Sequence, residues 1–315
     1  MDGILIIDKP AGVTSHDVVA QVRRVLRTKR VGHTGTLDPF ATGVLVLMIG
    51  SATRLARFLD KDAKEYIADV QFGFETDTGD LSGLRRPPRP RREPTPTKAG
   101  GEPEGMRLEE VVDEVSATAW EAVFEKFRGP LMQMPPMYSA KKVEGKKLYE
   151  LAREGKEIER KPVPIIIHKL ELMPNEIRNP QSRIRIKVVC SAGTYIRTLA
   201  EDIGRETGLG AHLTSLRRTA AGKFGLQQAL TLEQLQDLPA PENALLPAGL
   251  AISHLPELVL PDDRIGPTKN GLPSRVDEKY NAGEFVRMTE SGGNVIGIGI
   301  YDDDEKVVRP KVVLI

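Results

Sequence analysis

The sequence predicts an α+β fold, a sheet with flanking helices, followed by a small and separate β-rich domain. Three observations lead there. Tyr66–Phe74 and Arg183–Cys190 alternate between apolar and polar residues, the period of a half-buried strand. Val18, Val19, Val22, Val25 and Leu26 recur instead at helical spacing. Beyond Leu246 the chain turns to short β-like runs at Glu257–Leu260, Glu284–Thr289, Val295–Tyr301 and Val307–Leu314, with turn signals at Asn270-Gly271 and Gly292-Gly293.

The elements follow in order. Ile4–Ile7 is a short strand-like run closed by the turn signal Lys9-Pro10-Ala11-Gly12. Thr14 and Asp17 have capping-box spacing and open the Val18–Leu26 helix. Arg23, Arg24, Arg27, Lys29 and Arg30 crowd on and after its end. They read either as a solvated face that complements the helix dipole or as a patch for phosphates. Val31–Leu45 is expected to be a loop, and Val44–Ile49 a buried strand. In Tyr66–Phe74, Ala68, Val70, Phe72 and Phe74 share one face and Asp69 and Gln71 the other. Arg85–Gly105 mixes Pro87, Pro88, Pro90, Pro94 and Pro96 with Arg85, Arg86, Arg89, Arg91 and Arg92. Such a stretch buries too little apolar surface to order itself, so it is expected to be a flexible surface insertion rather than an RNA-contacting arm. Leu108–Phe127 reads as helical, Gly129–Ala140 as a Met- and Pro-rich loop, Leu148–Gly155 as a short helix and Ile165–Leu172 as a strand. In Arg183–Cys190, Ile184, Ile186, Val188 and Cys190 oppose Arg183, Arg185 and Lys187, and Thr194–Ile203 reads as a helix.

Composition bounds what such a chain can do. At 315 residues it has room for about two domains, divided here at 252/253. With 40% hydrophobic and 28% charged residues it can bury a core. The net charge of +1, from 45 basic and 44 acidic side chains, neither announces nor excludes nucleic acid, because local patches decide binding. No apolar run approaches the roughly 18 residues of a membrane span. The N-terminus Met1-Asp2-Gly3 lacks the basic segment of a signal peptide, so a cytoplasmic protein without membrane attachment is expected. Cys190 is the only cysteine, which excludes an internal disulfide, a thiolate zinc site and an iron–sulfur cluster. His16, His33, His168, His212 and His254 are scattered, and there is no GxxxxGK[ST] loop, no GxGxxG after a strand and no GxSxG elbow. Any chemistry is therefore expected to use a carboxylate, with no metal and no cofactor.

Asp38 is the best candidate. It lies in Val31-Gly32-His33-Thr34-Gly35-Thr36-Leu37-Asp38-Pro39-Phe40-Ala41-Thr42-Gly43-Val44-Leu45. Pro39 holds Asp38 extended, Gly35 and Gly43 permit close approach of a ligand, and the strand that follows anchors the loop. On spacing alone, an Asp-Pro pair in a Gly-rich loop reads equally as a turn.

Gly32–Leu45 resembles the catalytic motif of the TruB family of bacterial tRNA pseudouridine 55 synthases. The likeness extends in order along nearly the whole chain: Asp8–Ser15; Lys64-Glu65-Tyr66 with Phe72-Gly73 and Thr76-Asp77-Thr78; Gln133–Lys142 with Gly145–Tyr149; Cys190–Thr198; Ala211-His212-Leu213 to Leu216-Arg217-Arg218; and Lys269-Asn270-Gly271 with the strands after it, which resemble a PUA module. The departure is Arg85–Gly105, longer than the family's connection but lying between motifs.

The resemblance implies a mixed, mostly antiparallel sheet in residues 1–252, crossed by a cleft, and a PUA-like RNA-binding domain in 253–315. It implies isomerisation of uridine 55 in the tRNA T-loop to pseudouridine, with no cofactor and no metal. By resemblance, Asp38 is the nucleophile, Arg197 the cation that keeps it ionised, and Tyr66 the active-site tyrosine. Tyr195 and Leu216 line the uracil pocket, and His33 fills the space that the extruded base leaves. Lys9 either orders the catalytic loop or contacts RNA. Phosphate contacts are expected from Arg23, Arg24, Arg27, Lys29, Arg30, Arg217, Arg218 and Lys223. The implied partner is tRNA, gripped at T-loop and acceptor stem by a monomer without an obligate protein partner.

Two other readings keep the scaffold: a non-catalytic tRNA-folding module, and a guide-RNA-dependent enzyme of dyskerin type. Asp38, Tyr66 and Arg197 together oppose the first, and the start of the chain only a few residues before Ile4 opposes the second. A glycoside hydrolase needs a second carboxylic acid of raised pKa, and none stands out near Asp38.

Overall fold

The computed structural model describes residues 1–59, 62–88, 117–139, 141–143, 146–156, 158–174, 183–277 and 280–314. In chain order the first strands are β1 (Gly3–Lys9), β2 (Val31–Thr34), β3 (Thr42–Ile49), β4 (Lys64–Phe72), β5 (Glu75–Thr76), β6 (Arg85–Arg86) and β7 (Gly129–Gln133). They continue with β8 (Lys142–Val143), β9 (Lys146–Lys147), β10 (Val163–Met173), β11 (Arg183–Cys190), β12 (Ala211–Ala221) and β13 (Phe224–Gly225). The last are β14 (Glu257–Val259), β15 (Ser274–Arg275), β16 (Phe285–Thr289), β17 (Val295–Asp302) and β18 (Val307–Val313). The chain divides into two compact units, Met1–Leu37 with Val44–Lys61 and Leu226–Ile315, and Asp38–Gly43 with Asp62–Gly225.

In the second unit, β12, β4, β11, β10 and β7 lie side by side in that order, each antiparallel to the next. Thr42 and Gly43, which open β3, pair in parallel with Arg217 and Arg218, so the sheet is mixed but mostly antiparallel. Its apolar face is the one the period of two marks: Ala68, Val70, Phe72, Ile184, Ile186 and Val188 are buried. Phe72 stacks at 5.3 Å on Trp120 of the helix Ala117–Glu125. The helix Ile196–Glu206 packs on β12. Asp69, on the polar face, is nonetheless buried, because Arg185 grips both its oxygens at 2.7 and 3.0 Å across the β4–β11 pair.

In the first unit, β3 is flanked by β1 and β2. The helix Ser15–Val25 starts with both halves of the expected capping box, Thr14 Oγ1 accepting from Asp17 N and the Asp17 carboxylate accepting from Thr14 N. Its Val18 and Val22 pack with Leu5, Ile7, Leu45 and Leu47 in one core. The same unit holds a five-stranded sheet in the order β14-β16-β17-β18-β15, with its own cluster of Leu260, Val286, Met288, Tyr301 and Val308.

Several elements differ from the sequence reading. Val31–Thr34 is not loop but β2, antiparallel to the end of β3. Gly129–Gln133 is strand β7 despite Pro130; it is the last strand of its row, and an edge tolerates the missing N–H. Arg85 and Arg86 pair with Thr76 and Glu75 in a short ladder rather than joining the insertion. The rest of the insertion, 89–105, and positions 108–116 of the expected helix lie outside the described residues. The eleven-residue β12 is unanticipated, because register shifts at Leu213/Ser215 and Arg218/Ala220 break its period of two. Asn270 caps a helix, Asp262–Lys269, that carries Pro267 inside it and shows no apolar period. Among the described residues, no helix is long and apolar enough to cross a membrane.

Candidate active site

Asp38 stands at the head of a short turn in which Ala41 N donates to the Asp38 carbonyl at 3.1 Å. The residue before it in the chain, Leu37, is held from both sides by Ser15: Leu37 N donates to Ser15 Oγ at 3.0 Å, and Ser15 Oγ donates to Leu37 O at 3.2 Å. After the turn, Gly43 sits at φ +102° against the β12 backbone, where any Cβ would overlap the Arg218 carbonyl. Only glycine combines that dihedral with that approach, so the turn is pinned to β12 at Gly43.

Arg197 lies in the first turn of the Ile196–Glu206 helix and meets Asp38 side-on. Its Nε is 2.9 Å from Asp38 Oδ2, and its Nη2 donates to Asp38 Oδ1 at 3.0 Å. The guanidinium side chain is 5% exposed and the carboxylate side chain 33%. One charge is thus enclosed by protein while the other keeps an open edge, held side-on by a fork of two donors. Two further guanidinium donors are also committed: one on Nη1 to the Thr78 carbonyl and one on Nη2 to the Tyr138 carbonyl, both at 2.7 Å. The buried Asp80 carboxylate lies 3.8 Å from Nη1 and is itself held by Thr78 Oγ1 and by the Ser82 N–H.

Two phenols lie within electrostatic reach of Asp38. Tyr66 opens the described alternation of β4 and is buried; burial first, with the Asp38 charge adding to it, pushes its hydroxyl above the usual phenol range. Arg218, its direct partner across β12, donates a hydrogen bond to that hydroxyl and works the other way. Tyr195 precedes the Arg197 helix, and burial again raises its phenol, with Asp38 in the same direction and Arg197 opposing. Gln133 fixes Tyr195 by both backbone groups, accepting from its N–H at 2.8 Å and donating to its carbonyl at 3.0 Å. Leu216 is buried two residues before Arg218 and opposite Ala68, so it shares the face of Tyr66.

The structure therefore brings Asp38, Arg197, Tyr66, Tyr195 and Leu216 into one unit. His33, Lys9 and the Arg23–Arg30 cluster belong to the other. His33 is half-buried in β2 with its ring edge-on to His16 at 5.4 Å. Arg23, Arg24, Arg27, Lys29, Arg30 and Lys223 are exposed, and Arg217 is half-buried with Nη1 donating to Thr42 Oγ1 at 3.3 Å. One expectation needs correction. Arg218 is 1% exposed and faces Tyr66, so it does not stand on a phosphate-contacting surface. Lys9, expected either to order the catalytic loop or to contact RNA, is fully buried, its Nζ donating to the Pro10 and Val13 carbonyls at 2.8 and 2.7 Å in the turn before the first helix.

Sequence reasoning passed over Asp80 and placed Thr78, Gln133 and Tyr138 in family-like motifs without giving them a role; all four contact the residues of the site. Thr78 and Tyr138 act through backbone carbonyls, which no side-chain pattern reveals. A cavity of about 290 Å³ borders Tyr138, Thr198 and Glu201, but neither Asp38 nor Tyr66 lines it, so it is not the site described here.

The model of the TruB family pseudouridylate synthase N-terminal domain matches residues 23–196, and that of the tRNA pseudouridylate synthase B C-terminal domain matches 197–265. The tRNA pseudouridine synthase B of Solibacter usitatus is 41% identical over 304 residues, 95% of either chain. That of Heliobacterium modesticaldum is 39% identical over 315 residues, covering 99% of this chain and 95% of its own. Among solved structures, a Cbf5-Nop10-Gar1 complex superposes with a TM-score of 0.68 at 24% identity, covering 99% of this chain and 85% of that one, a likeness of fold. With the matched models spanning both the Asp38 turn and the Arg197 helix, and relatives near two-fifths identity end to end, the chain belongs to the TruB family of pseudouridylate synthases.

Proposed function

We propose that this protein is a stand-alone tRNA pseudouridine synthase that isomerises uridine 55 of the T-loop. The observation that carries the reading is the Asp38–Arg197 pair: an accessible carboxylate held side-on by an enclosed guanidinium. The relatives named tRNA pseudouridine synthase B favour tRNA over a guided substrate.

The reaction breaks the bond from N1 of uracil to C1′ of ribose and makes one from C5 to C1′. The C5 proton is lost and N1 gains one, so atoms and electrons balance without a redox partner. Asp38 supplies the nucleophilic oxygen. Arg197 holds its two oxygens in a fixed plane, so that the lone pair facing solvent is the one free to attack. Tyr66 stacks on the uracil, an interaction worth about 1–3 kcal/mol per base, and its hydroxyl is the group placed to move the C5 proton. Tyr195 and Leu216 complete the walls of the base pocket. The uridine must leave its stack, at a cost of a few kcal/mol, and His33 takes the vacated place.

Phosphate contacts come from Arg23, Arg24, Arg27, Lys29, Arg30, Arg217 and Lys223. Residues 1–252 are the catalytic domain, and 253–315 are a PUA-like domain that grips the acceptor stem; the separate five-stranded sheet and its own apolar cluster support that division. The protein acts as a cytoplasmic monomer.

The test is incubation with unmodified tRNA, without guide RNA or metal, followed by mapping of pseudouridine. One modified site in the T-loop is expected. Asp38→Asn is expected to abolish it while tRNA binding survives; near-parental turnover by that variant refutes the assignment.

A further inference from the structure

Arg197 is not the only arginine that its helix turns toward the β5–β6 hairpin. Arg197, Glu201 and Arg205 are spaced by four and lie along one helix face. All three meet the segment from Glu75 to Asp80. Arg197 Nη1 donates to the Thr78 carbonyl at 2.7 Å. A Cβ on Gly79 would come within 2.8 Å of Glu201 Oε1 and 3.2 Å of Arg197 Cβ, so Gly79 packs closely against both. Arg205 takes both oxygens of Glu75, Nε to Oε1 at 2.9 Å and Nη2 to Oε2 at 3.1 Å. The Glu75 and Arg205 side chains are 2% and 4% exposed. Glu201 and Asp202 add further carboxylates to Arg205 at 2.9 and 3.2 Å.

The segment between these contacts is stiff. Gly79 N donates to Thr76 O, Thr76 Oγ1 donates to Asp80 O at 2.8 Å, and Leu213 N of β12 donates to Gly79 O at 3.0 Å. A short hydrogen-bonded turn thus links Glu75 to the Thr78 carbonyl, one of the groups that Arg197 binds. Two charges this deeply enclosed add little to stability against an apolar pair of the same shape, so their use lies in the geometry they impose.

We propose that the buried Glu75–Arg205 pair is a positioning pair for the active site: it sets the Thr76–Asp80 turn, and the turn sets Arg197 against Asp38. This rests on the proposed pseudouridine synthase reading. The pair does not touch substrate. Its loss misorients Arg197 and slows the chemical step while the RNA-binding surface stays as it was.

The experiment measures single-turnover pseudouridine formation at saturating unmodified tRNA, together with tRNA Kd and a thermal melt. It uses the full-length parent and the variants Glu75→Gln, Glu75→Asp, Gly79→Ala and, as control, Lys126→Ala, which removes an exposed ion pair of the same helix with Glu206. Glu75→Gln and Gly79→Ala are expected to slow the step by about 10- to 100-fold, the scale of a small misplacement of reacting groups, with Kd unchanged. Glu75→Asp, which keeps the charge, is expected to recover part of the rate, and Lys126→Ala all of it. If Glu75→Gln does not fold, Glu75→Asp carries the test, since it keeps the charge and shortens its reach to Arg205 without touching Arg197. Folded variants that turn over at the parental rate, or a loss confined to Kd, overturn the inference. A parent that forms no pseudouridine overturns the functional reading instead, so the two failures are told apart.

Discussion

Replacing Arg197 by lysine keeps the positive charge and removes the shape. In the structure, the guanidinium serves Asp38 Oδ1, Asp38 Oδ2, the Thr78 carbonyl and the Tyr138 carbonyl. A lysine carries its donors on a single nitrogen, which cannot lie side-on to a carboxylate and also reach carbonyls on either flank. At least two of those contacts go. A hydrogen bond to a charged group contributes about 1.5–3 kcal/mol, and the partial exposure of Asp38 argues for the lower figure. The orientation of Asp38 is then weaker by about 3 kcal/mol, which at about 1.4 kcal/mol per decade is a loss of about a hundredfold in the chemical step. The assay is single-turnover conversion at saturating tRNA, with filter-binding Kd measured in parallel. The rate should fall by that factor while affinity, which the proposed function assigns to phosphate contacts elsewhere, holds. A lysine variant within a few-fold of the parent rate would show that charge alone suffices, and the argument from side-on geometry would be refuted.

Gly43→Ala should destabilise the protein by about 2 kcal/mol or more, since it forces both a left-handed dihedral and an overlap with the Arg218 carbonyl; a urea titration reads it, and an unchanged midpoint contradicts the pinning of the Asp38 turn. Cys190 is buried, and burial pushes its thiol up to about 11, so a disulfide reagent should react with the native protein only as fast as the protein opens, and with the unfolded chain at once. His212 is buried with Nδ1 donating to the Phe74 carbonyl, and burial holds its ring below the ordinary value of 6.5. Below that value the unfolded chain binds a proton that the folded one refuses, so stability should fall as the pH drops through it. Denaturation midpoints followed across that range should show a shallower fall for His212→Gln than for the parent, and equal slopes would remove His212 as the cause.

Regular periodicity made much of the fold legible. β4 and β11 alternate with few exceptions, and their apolar residues are those the pattern marks. Where the period breaks, so does the reading: β12 holds two bulges, and its Ala-His-Leu-Thr-Ser-Leu stretch looks like neither strand nor helix, although it lies against β4 beside the site. The pairing of Asp38 with Arg197 was available only through the resemblance, because the two stand 159 residues apart and no spacing rule spans that gap. A charged side chain gave the clearest error. Arg218 reads as a surface cation, and Lys9 reads as either ordering a loop or touching RNA, because lysine and arginine are almost never fully buried without partners, and the sequence does not display the partners: a phenol for Arg218, two turn carbonyls for Lys9. Arg217 and Arg218 make the physical point sharply. They are adjacent and chemically identical, yet successive strand residues face opposite ways, so one, half-buried, meets the Thr42 hydroxyl while its neighbour is sealed against Tyr66. Which of the two is sealed inside and which stays half-exposed is decided by register across β4 and β12, a property of the pairing and not of either residue.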